Sequence, residues 1–346
     1  MTGPPPSGPP PSATIRQILT SAFAPRALFI AADLRIADHL ATGPRSIDDL
    51  GEQAQADAQS LGRVLRLLCA HGVFTEPEYG TFAQTPASDL LRADDPSGLR
   101  DTVLYGAGQF SWSVLAALPE AVVSGKSAVE LAVGTDLWSY LDAHPHEAKL
   151  FDRTMLGLHG DELPAVAQAL ELPATGHVLD VGGGIGSLLA ALLARNPGLT
   201  GTVVDQPQVI AACAETFAAH GVTDRANAVA GDLFGEMPAG NEVVLLSHII
   251  HDWDREECLT ILAGARNALA PGGRLLVVEQ VLPEGDAFHP GKILDVAMLA
   301  YQSGRERTEA DYRALLAQAD LELKEVVSTS SAASIIVAAK VESVVN

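Results

Sequence analysis

The sequence feature that most limits the possible folds lies in the C-terminal half of the chain, where short apolar runs alternate with helical stretches. Seven short runs, most of them rich in Val, Leu and Ile, follow one another from His177 onward: HVLDV, TGTVVD, ANAVAG, EVVLLSH, RLLVVEQ, LELKEVV and ASIIVAAK. Because strands that alternate with helices pair in parallel, the pattern predicts a doubly wound α/β sheet. The last two runs have only a short link, so we expect one reversed hairpin strand near the C-terminus.

The remaining sequence divides the 346-residue chain into three further segments. Residues 1–13 include six prolines in the run MTGPPPSGPPPS, a composition typical of a disordered tail. Residues 14–100 are predicted to form a small helical domain, and residues 101–165 a helical linker. Residues 166–346 then form the α/β domain.

The pattern of residues 14–100 is typical of a winged helix. An amphipathic helix is predicted from Ile15 to Leu40, followed by a helix-turn-helix pair. Ser46 can cap the first helix of the pair, with Asp49 three residues later. GVFTEPEYGTFAQT is predicted to be a hairpin that turns at Gly80, which would be the wing. The second helix of the pair has an apolar stripe formed by Leu61, Val64, Leu65, Leu67 and Leu68.

DNA binding is a familiar role of a winged helix, but the charge of this one argues against it. Residues 1–100 hold eight arginines and no lysine against eleven acids, a net charge of −3. The second helix of the pair offers only Arg63 and Arg66 to a DNA groove. Apolar helices that cannot bury every face alone usually bury them against a partner. We therefore predict a dimerisation role and no nucleic-acid partner.

The charge and composition of the whole chain also argue against a nucleic-acid partner. A formal net charge of −21 repels nucleic acid and anionic membranes. No apolar run reaches the roughly 18 residues of a membrane span, and the N-terminus has no secretory signal. Cys69, Cys213 and Cys258 are scattered in apolar surroundings, which is typical of free thiols in a reducing cytoplasm. The sequence thus predicts a cytoplasmic protein with no membrane partner and no metal site.

Aromatic residues concentrate in the linker, although they are only 5% of the chain. Two interpretations stay open for them: the wall of a substrate pocket, or ordinary core packing. The residues are Tyr105, Phe110, Trp112, Trp138, Tyr140 and Phe151.

The run VLDVGGGIGSLLAALL reads as a strand, a glycine turn and a helix. Gly182, Gly184 and Gly186 allow a sharp turn and let a ligand lie against bare backbone. The spacing is GxGxG and not the GxGxxG of dinucleotide sites. Asp180 brings negative charge toward the ligand, which disfavours pyrophosphate and favours an ammonium or sulfonium group. The loop therefore favours S-adenosylmethionine over NAD.

Two acids farther along complete a nucleoside-type site. Asp205 ends the next strand, 21 residues after Gly184, where doubly wound folds place an acid against ribose hydroxyls. Asp232 follows the strand after that, and its carboxylate can accept a hydrogen bond from an adenine amine. Leu233 and Phe234 can cover the faces of the adenine.

A histidine and three acids form the candidate proton-handling group. His251 follows the carboxyl end of the strand EVVLLSH, where open α/β sheets bind ligands, and Asp252 comes next. Glu279 ends an apolar strand, and Glu306 lies in GRERT before the last helix. A carboxylate beside an imidazole fixes its tautomer and stabilises its protonated form. This group can remove a phenolic proton while the oxygen attacks a sulfonium methyl group.

Together, VLDVGGGIG, VVDQP, GDLF, HDW and GRERT resemble the plant-type, metal-independent small-molecule O-methyltransferases. The likeness covers about residues 14–340 and is closer to the bacterial members that modify polyketides and other aromatic natural products. It implies a Rossmann-like class I methyltransferase domain over 166–346 and an N-terminal all-α winged-helix dimerisation domain over 14–100. It also implies a homodimer, S-adenosylmethionine as cofactor, S-adenosylhomocysteine as product and a small aromatic acceptor.

The resemblance also implies roles for single residues. Cofactor contacts are expected from Gly182, Asp205, Asp232, Leu233 and Ser247. His251 is expected to be the base, with Glu279 and Glu306 flanking it. The acceptor pocket is expected to be lined by Met155, Met298 and Tyr301, with Trp112 and Asp252 as further substrate contacts. The linker over 101–165 is expected to contribute to this pocket.

Two positions depart from the plant pattern. Plant members have Lys where Ser247 stands, whereas bacterial members often have Ser, so the cofactor prediction is unchanged. Plant members have Trp where His248 stands, and His248 is interpreted here as strand packing.

Three other functions are compatible with parts of the sequence. A family relative can keep the cofactor and catalyse another tailoring reaction such as hydroxylation, although such relatives are expected to lack the histidine of HDW. A winged-helix regulator without catalysis and an NAD oxidoreductase are the other two. Methylation of nitrogen or of a carboxylate also stays open.

Overall fold

The computed structural model describes residues 10–159 and 162–341, which divide into two units. The first unit runs up to Ala116 and includes Trp138–Leu158, and the second comprises Ala117–Leu137 and the chain from His159 onward. Most of the proline-rich tail, residues 1–9, lies outside the described part. The prediction of disorder is wrong for residues 11–13, which form the first turn of a helix. Proline at the first helical position is favourable there, because its fixed φ suits a helix.

The first unit begins with three helices where the sequence suggested one over Ile15–Leu40. The backbone of Arg35 has a left-handed φ of 53°, which ends the second helix and turns the chain into the third. Periodicity alone does not show such breaks, since apolar residues recur on both sides of them. The three helices are α1 (Pro11–Thr20), α2 (Phe23–Asp33) and α3 (Ile36–Leu40).

The helix-turn-helix pair and the wing are confirmed. The Ser46 hydroxyl accepts from the Asp49 backbone N–H, and Gly80 turns the hairpin with a φ of +81°. The all-α description needs a correction, because β1 pairs with β3 and makes a three-stranded sheet in the order β1-β3-β2. These elements are β1 (Arg45–Ser46), α4 (Ile47–Ala54), α5 (Ala58–Ala70), β2 (Phe74–Glu78) and β3 (Thr81–Gln84).

The segment that follows is helical, as predicted. Most of its aromatic rings pack on one another: Phe110 stacks on Tyr140 at 4.3 Å, and Phe151 meets Trp138 edge-on at 5.8 Å. Trp112 instead lies under the Arg26 guanidinium. The helices are α6 (Pro86–Asp89), α7 (Leu99–Gly106), α8 (Gln109–Ser124), α9 (Ala128–Val133), α10 (Leu137–Ala143), α11 (Pro145–His159) and α12 (Glu162–Ala169).

The second unit contains the doubly wound sheet, and all seven predicted strands are present. Its order is β11-β12-β8-β7-β4-β5-β6, with β12 antiparallel to both of its neighbours, so the reversed hairpin strand is confirmed. The strands are β4 (Gly176–Val181), β5 (Leu199–Asp205), β6 (Ala226–Ala230), β7 (Asn241–Ser247), β8 (Leu269–Glu279), β11 (Leu321–Ser328) and β12 (Ser334–Lys340), with a short parallel pair of β9 (Val281–Leu282) and β10 (Arg307–Thr308).

Helices cover both faces of this sheet. Val178 and Leu245 contribute to one core and Leu179 and Val244 to the other, because successive side chains of a strand point to opposite faces. The helices are α13 (Ser187–Arg195), α14 (Pro207–Ile210), α15 (Cys213–Ala219), a 3-10 turn (Ile250–Asp252), α16 (Arg255–Ala268), α17 (Pro290–Tyr301) and α18 (Glu309–Gln318).

The neighbours β4 and β7 mark where the strand order reverses, and such sheets bind ligands at the carboxyl ends of their strands there. Cys213 and Cys258 are buried and Cys69 is partly buried, and all three are free thiols. Within the described residues, no helix has the length and apolar character needed to cross a bilayer.

Candidate active site

The glycine loop leaves β4 at the switch point of the sheet. Gly182 and Gly186 have φ values of +71° and +79°, which side chains rarely adopt. Each also lacks room for a side chain: a Cβ on Gly182 would lie 2.4 Å from Ile249, and one on Gly186 would lie 2.6 Å from Phe217. The loop therefore presents bare backbone, as its sequence predicts.

Asp205 supports this loop from the end of β5. One carboxylate oxygen accepts from the Gly184 N–H at 2.8 Å, and the other accepts from the Gln206 N–H at 2.7 Å. A carboxylate oxygen has two lone pairs, so each still has a site for a ligand hydroxyl. Asp205 is thus placed both to hold the loop and to accept from a ribose.

Asp180 lies beneath the loop and not on its surface. Its side chain is buried under Gly183, where an added Cβ would lie 2.4 Å from the carboxylate. Among the described residues, neither of its oxygens finds a hydrogen-bond partner. Burial, together with the charge of Asp205, raises the pKa of Asp180 to about 7. A cation bound above the loop would stabilise the ionised carboxylate, which fits the expected sulfonium ligand.

The GDLF turn contributes an apolar contact beside the loop. The side chain of Leu233 would lie 3.2 Å from a Cβ on Gly182, so the two residues border the same space. Asp232 is exposed and accepts from the Phe234 N–H at 3.0 Å. The Phe234 ring meets Trp253 edge-on at 4.9 Å.

His251 lies in the 3-10 turn after β7 and is almost fully buried. Its Nδ1 is 2.7 Å from a Glu306 oxygen, and its Nε2 is 3.6 Å from Asp252. Burial lowers the pKa of His251, but the Glu306 hydrogen bond and the charges of Glu279 and Asp252 raise it to about 9. Burial also raises the pKa of Glu306, so the pair retains a proton strongly.

Glu279 reaches a different part of His251 than the sequence suggests. One of its oxygens accepts from the backbone N–H of His251 at 3.0 Å, and the other accepts from the hydroxyl of Tyr312. Of these two glutamates, Glu306 and not Glu279 therefore bonds to the imidazole ring. Ligand atoms of His251, Glu279 and Glu306 lie within 4.8 Å of one another, which suits a metal ion, but hydrogen bonds already engage each residue. The absence of a metal stays a prediction.

His248 is not simple strand packing. It has a left-handed φ of 53°, and its Nε2 forms a hydrogen bond with the buried carboxylate of Glu162. Its ring lies 5.3 Å from that of His251. The partner is 86 residues away, so no local pattern could reveal it.

Three other residues around His251 were missed. Tyr312 sits in an ordinary amphipathic stretch, and Gly304 and Arg307 belong to the GRERT motif without an obvious role. A Cβ on Gly304 would lie 1.9 Å from the His251 carbonyl oxygen, so this loop crosses the 3-10 turn that contains His251 in close contact.

The predicted acceptor residues fall in both units. Met298 and Tyr301 lie one turn apart on α17, and Met298 is buried. Ser247, a predicted cofactor contact, ends β7. Trp112 and Met155 belong to α8 and α11 of the first unit.

This combination of sheet order, glycine loop, acid after β5 and carboxylate-bonded histidine after β7 defines a class I methyltransferase. Comparison with protein families agrees: residues 17–94 match the O-methyltransferase dimerisation domain, and residues 112–322 match the O-methyltransferase domain. The chain belongs to this O-methyltransferase family, as the sequence motifs indicated, and uses S-adenosylmethionine. The first match also supports a homodimer.

Individual relatives cover nearly the whole chain. A phenazine O-methyltransferase of Lysobacter antibioticus is 37% identical over 94% of this chain and 95% of its own length. An aclacinomycin 10-hydroxylase of Streptomyces purpurascens is 35% identical over 86% of this chain and 81% of its own. A crystal structure of an O-methyltransferase from neocarzinostatin biosynthesis, in complex with S-adenosylmethionine and 2-hydroxy-5-methyl naphthoic acid, has a TM-score of 0.80 and 34% identity, and covers 92% of this chain and 96% of that one.

Proposed function

We propose that this protein transfers the methyl group of S-adenosylmethionine to a phenolic hydroxyl of a small, polyketide-like aromatic natural product. The observation that carries the proposal is the buried His251–Glu306 pair, which follows β7, the strand next to β4 and its glycine loop. An imidazole held in this way can take the proton of a phenol. The naphthoic acid bound to a related O-methyltransferase supports an acceptor of this chemical class.

The residues present suit the cofactor. When bound, S-adenosylmethionine supplies an electrophilic methyl group on a positively charged sulfur. We assign its ribose to Asp205 and its adenine to Asp232, Leu233 and Phe234. Ser247 and the glycine loop are the other proposed contacts. The buried, unpartnered Asp180 would balance the positive charge.

We assign the base to His251. Its Nε2 would accept the phenolic proton while the oxygen attacks the methyl group in line. Glu306 would hold the ring by Nδ1 and stabilise the imidazolium that forms. Asp252, Met298, Tyr301, Trp112 and Met155 are proposed to line the acceptor pocket, with the 101–165 segment contributing part of it.

Methyl transfer should accelerate as the pH rises, because His251 must lose its proton before it can act as a base. Since the pKa of His251 is about 9, we expect kcat/KM to rise about tenfold per pH unit below that value. Glu306→Gln removes a charge that raises this pKa, so its profile should shift to lower pH with a lower maximum. Initial rates from pH 6 to 9.5 measure both, and coincident profiles would contradict the pairing.

Asp205→Ala should weaken binding of S-adenosylhomocysteine about 10–100-fold, because hydrogen bonds to charged groups contribute about 1.5–3 kcal/mol. Isothermal titration calorimetry measures the dissociation constant. Glu215→Ala is the matched control, since it removes an exposed acid from α15. An unchanged dissociation constant for Asp205→Ala would refute the assignment to the ribose.

Hydroxylation is the second candidate, because one relative is named as a hydroxylase. Incubation in air with S-adenosylmethionine, a thiol reductant and a panel of hydroxylated naphthoates, phenazines and anthracyclines decides between the two by mass spectrometry. A product heavier by one CH₂ group indicates methylation. A product heavier by one oxygen atom indicates hydroxylation, in which O₂ is the oxidant, the thiol supplies two electrons and the second oxygen atom leaves as water. Products that carry the methyl group on nitrogen or a carboxylate would correct the proposed acceptor group.

Regulation through the winged helix has little support. The guanidinium of Arg66 is paired with Glu76 at 3.1 Å and lies 4.6 Å from the Tyr79 ring, so it is already engaged. We propose a cytoplasmic homodimer that binds neither nucleic acid nor membranes. A gel shift with random DNA should show no complex, and titration with S-adenosylhomocysteine but not NADH should show binding.

A further inference from the structure

One peptide group, which joins Ile250 to His251, is held between buried groups of opposite charge. Its N–H donates to Glu279 at 3.0 Å. Its carbonyl oxygen accepts from Arg307 at 2.9 Å and from the Cys258 thiol at 3.2 Å. All three partners are almost completely buried. The peptide that precedes the base is thus fixed at both of its polar ends.

Within residues 10–159 and 162–341, neither charge has an ordinary ion-pair partner. Among the described residues, Arg307 forms no direct ion pair, and its other donors contact the Arg305 carbonyl at 3.1 Å and the Cys258 sulfur at 3.3 Å. The second oxygen of Glu279 accepts from Tyr312. An uncompensated buried charge is costly, so each of the two needs the other nearby.

The backbone explains why the two charges meet. Glu279 ends β8, and β9 follows at Val281. The partner of Val281 in the parallel pairing of β9 with β10 is Arg307. Effects on common neighbours agree with this placement. Burial raises the pKa of Cys258 and of Tyr312 the most, the charge of Glu279 raises both further, and the charge of Arg307 opposes the rise in both.

We propose that Arg307 and Glu279 form an ion pair bridged by the 250–251 peptide, which makes Arg307 a positioning residue for His251. Glu306 is adjacent to Arg307 and holds the imidazole, so one short segment fixes both the ring and the backbone of the base. The catalytic part of this inference rests on the proposed role of His251. The ion pair itself does not.

A double-mutant cycle on the full-length protein tests the ion pair without any acceptor. Arg307→Met leaves Glu279 uncompensated, so we expect its melting temperature to fall by several degrees. Adding Glu279→Gln removes the second charge and should restore part of that loss. Arg305→Met is the matched control, because this neighbouring arginine has a side chain that is 64% exposed. A double variant no more stable than Arg307→Met would overturn the proposal.

If Arg307→Met does not fold and the double variant does, that rescue also supports the ion pair. If neither folds, Arg307→Lys decides, because it keeps the charge and should fold. An unfolded lysine variant would show that shape and not charge is required, which overturns the proposal.

Positioning is tested separately by kinetics and by NMR. In Arg307→Lys we expect kcat to fall at least about tenfold, since small misplacements of reacting groups are costly, with an unchanged dissociation constant for S-adenosylhomocysteine. The backbone amide of His251, assigned in ¹⁵N-histidine-labelled protein, should shift in Arg307→Lys but not in Arg305→Met. An unmoved amide with unchanged kcat would refute the positioning role. If Arg307 positions the backbone of His251 but His251 is not the base, the His251 amide signal will shift in Arg307→Lys while kcat stays unchanged.

Discussion

Replacing His251 with alanine is expected to reduce methyl transfer at least about 10²-fold, the usual contribution of a general base. The phenolic proton would then have to pass to water, which is a much weaker base than an imidazole. Binding of S-adenosylhomocysteine should not change, because the glycine loop and Asp205 belong to β4 and β5 and not to the turn after β7. Single-turnover rates with the best acceptor from the panel measure the effect.

The choice of controls separates proton transfer from folding. His220→Ala removes an exposed histidine after α15 and should leave the rate within about twofold, as is usual for exposed surface positions. Glu306→Gln should keep the ring in place as a weaker base, with an intermediate rate. Full activity of His251→Ala would mean that proximity and orientation alone drive the transfer.

The sheet could be predicted because each of its strands can be identified from a short stretch of sequence. Strands buried on both faces must be largely apolar, so β7 and β8 are visible as unbroken apolar runs and β4 as a run that Asp180 interrupts. The glycine loop is equally visible, since only glycine combines positive φ with close packing at Gly182 and Gly186. The resemblance to the O-methyltransferases, and not spacing, predicted that Glu306 lies beside His251, and the structure places the two side chains 2.7 Å apart.

The contacts of the site could not be predicted in the same way. Glu162 meets His248 across 86 residues, and Glu279 contacts a backbone amide where a ring contact was expected. Such pairings depend on which loops meet in space after their separate strands. The periodicity of apolar residues predicts helices and strands but does not show which loops meet. The break at Arg35 was missed for a related reason, because a left-handed turn can fall between apolar residues without disturbing their spacing.

Gly304→Ala should be nearly as damaging as removal of the base. An added Cβ would lie 1.9 Å from the His251 carbonyl oxygen and 2.6 Å from the backbone of Asp252 and Trp253. These neighbours are backbone atoms, so the GRERT loop or the Ile250–Asp252 turn must move. Glu306 lies two residues later in the same loop, and a shift of about 1 Å can reduce a rate about 10²-fold. We expect that loss in kcat, with about 1–3 kcal/mol of overpacking destabilisation.

The control for this substitution is Gly106→Ala, at the end of α7, where an added Cβ meets nothing within 4 Å. Neither glycine has a positive φ, so the two variants differ in the space available and not in backbone strain. Gly106→Ala should retain full activity and gain up to about 1 kcal/mol, because alanine restricts the unfolded chain. Thermal unfolding and kcat are measured for both, with the S-adenosylhomocysteine affinity as a check on the cofactor site. Since the added Cβ meets the backbone of the turn that contains His251, a Gly304→Ala protein that binds this ligand normally and still turns over at the full rate would show that the crossing does not position His251.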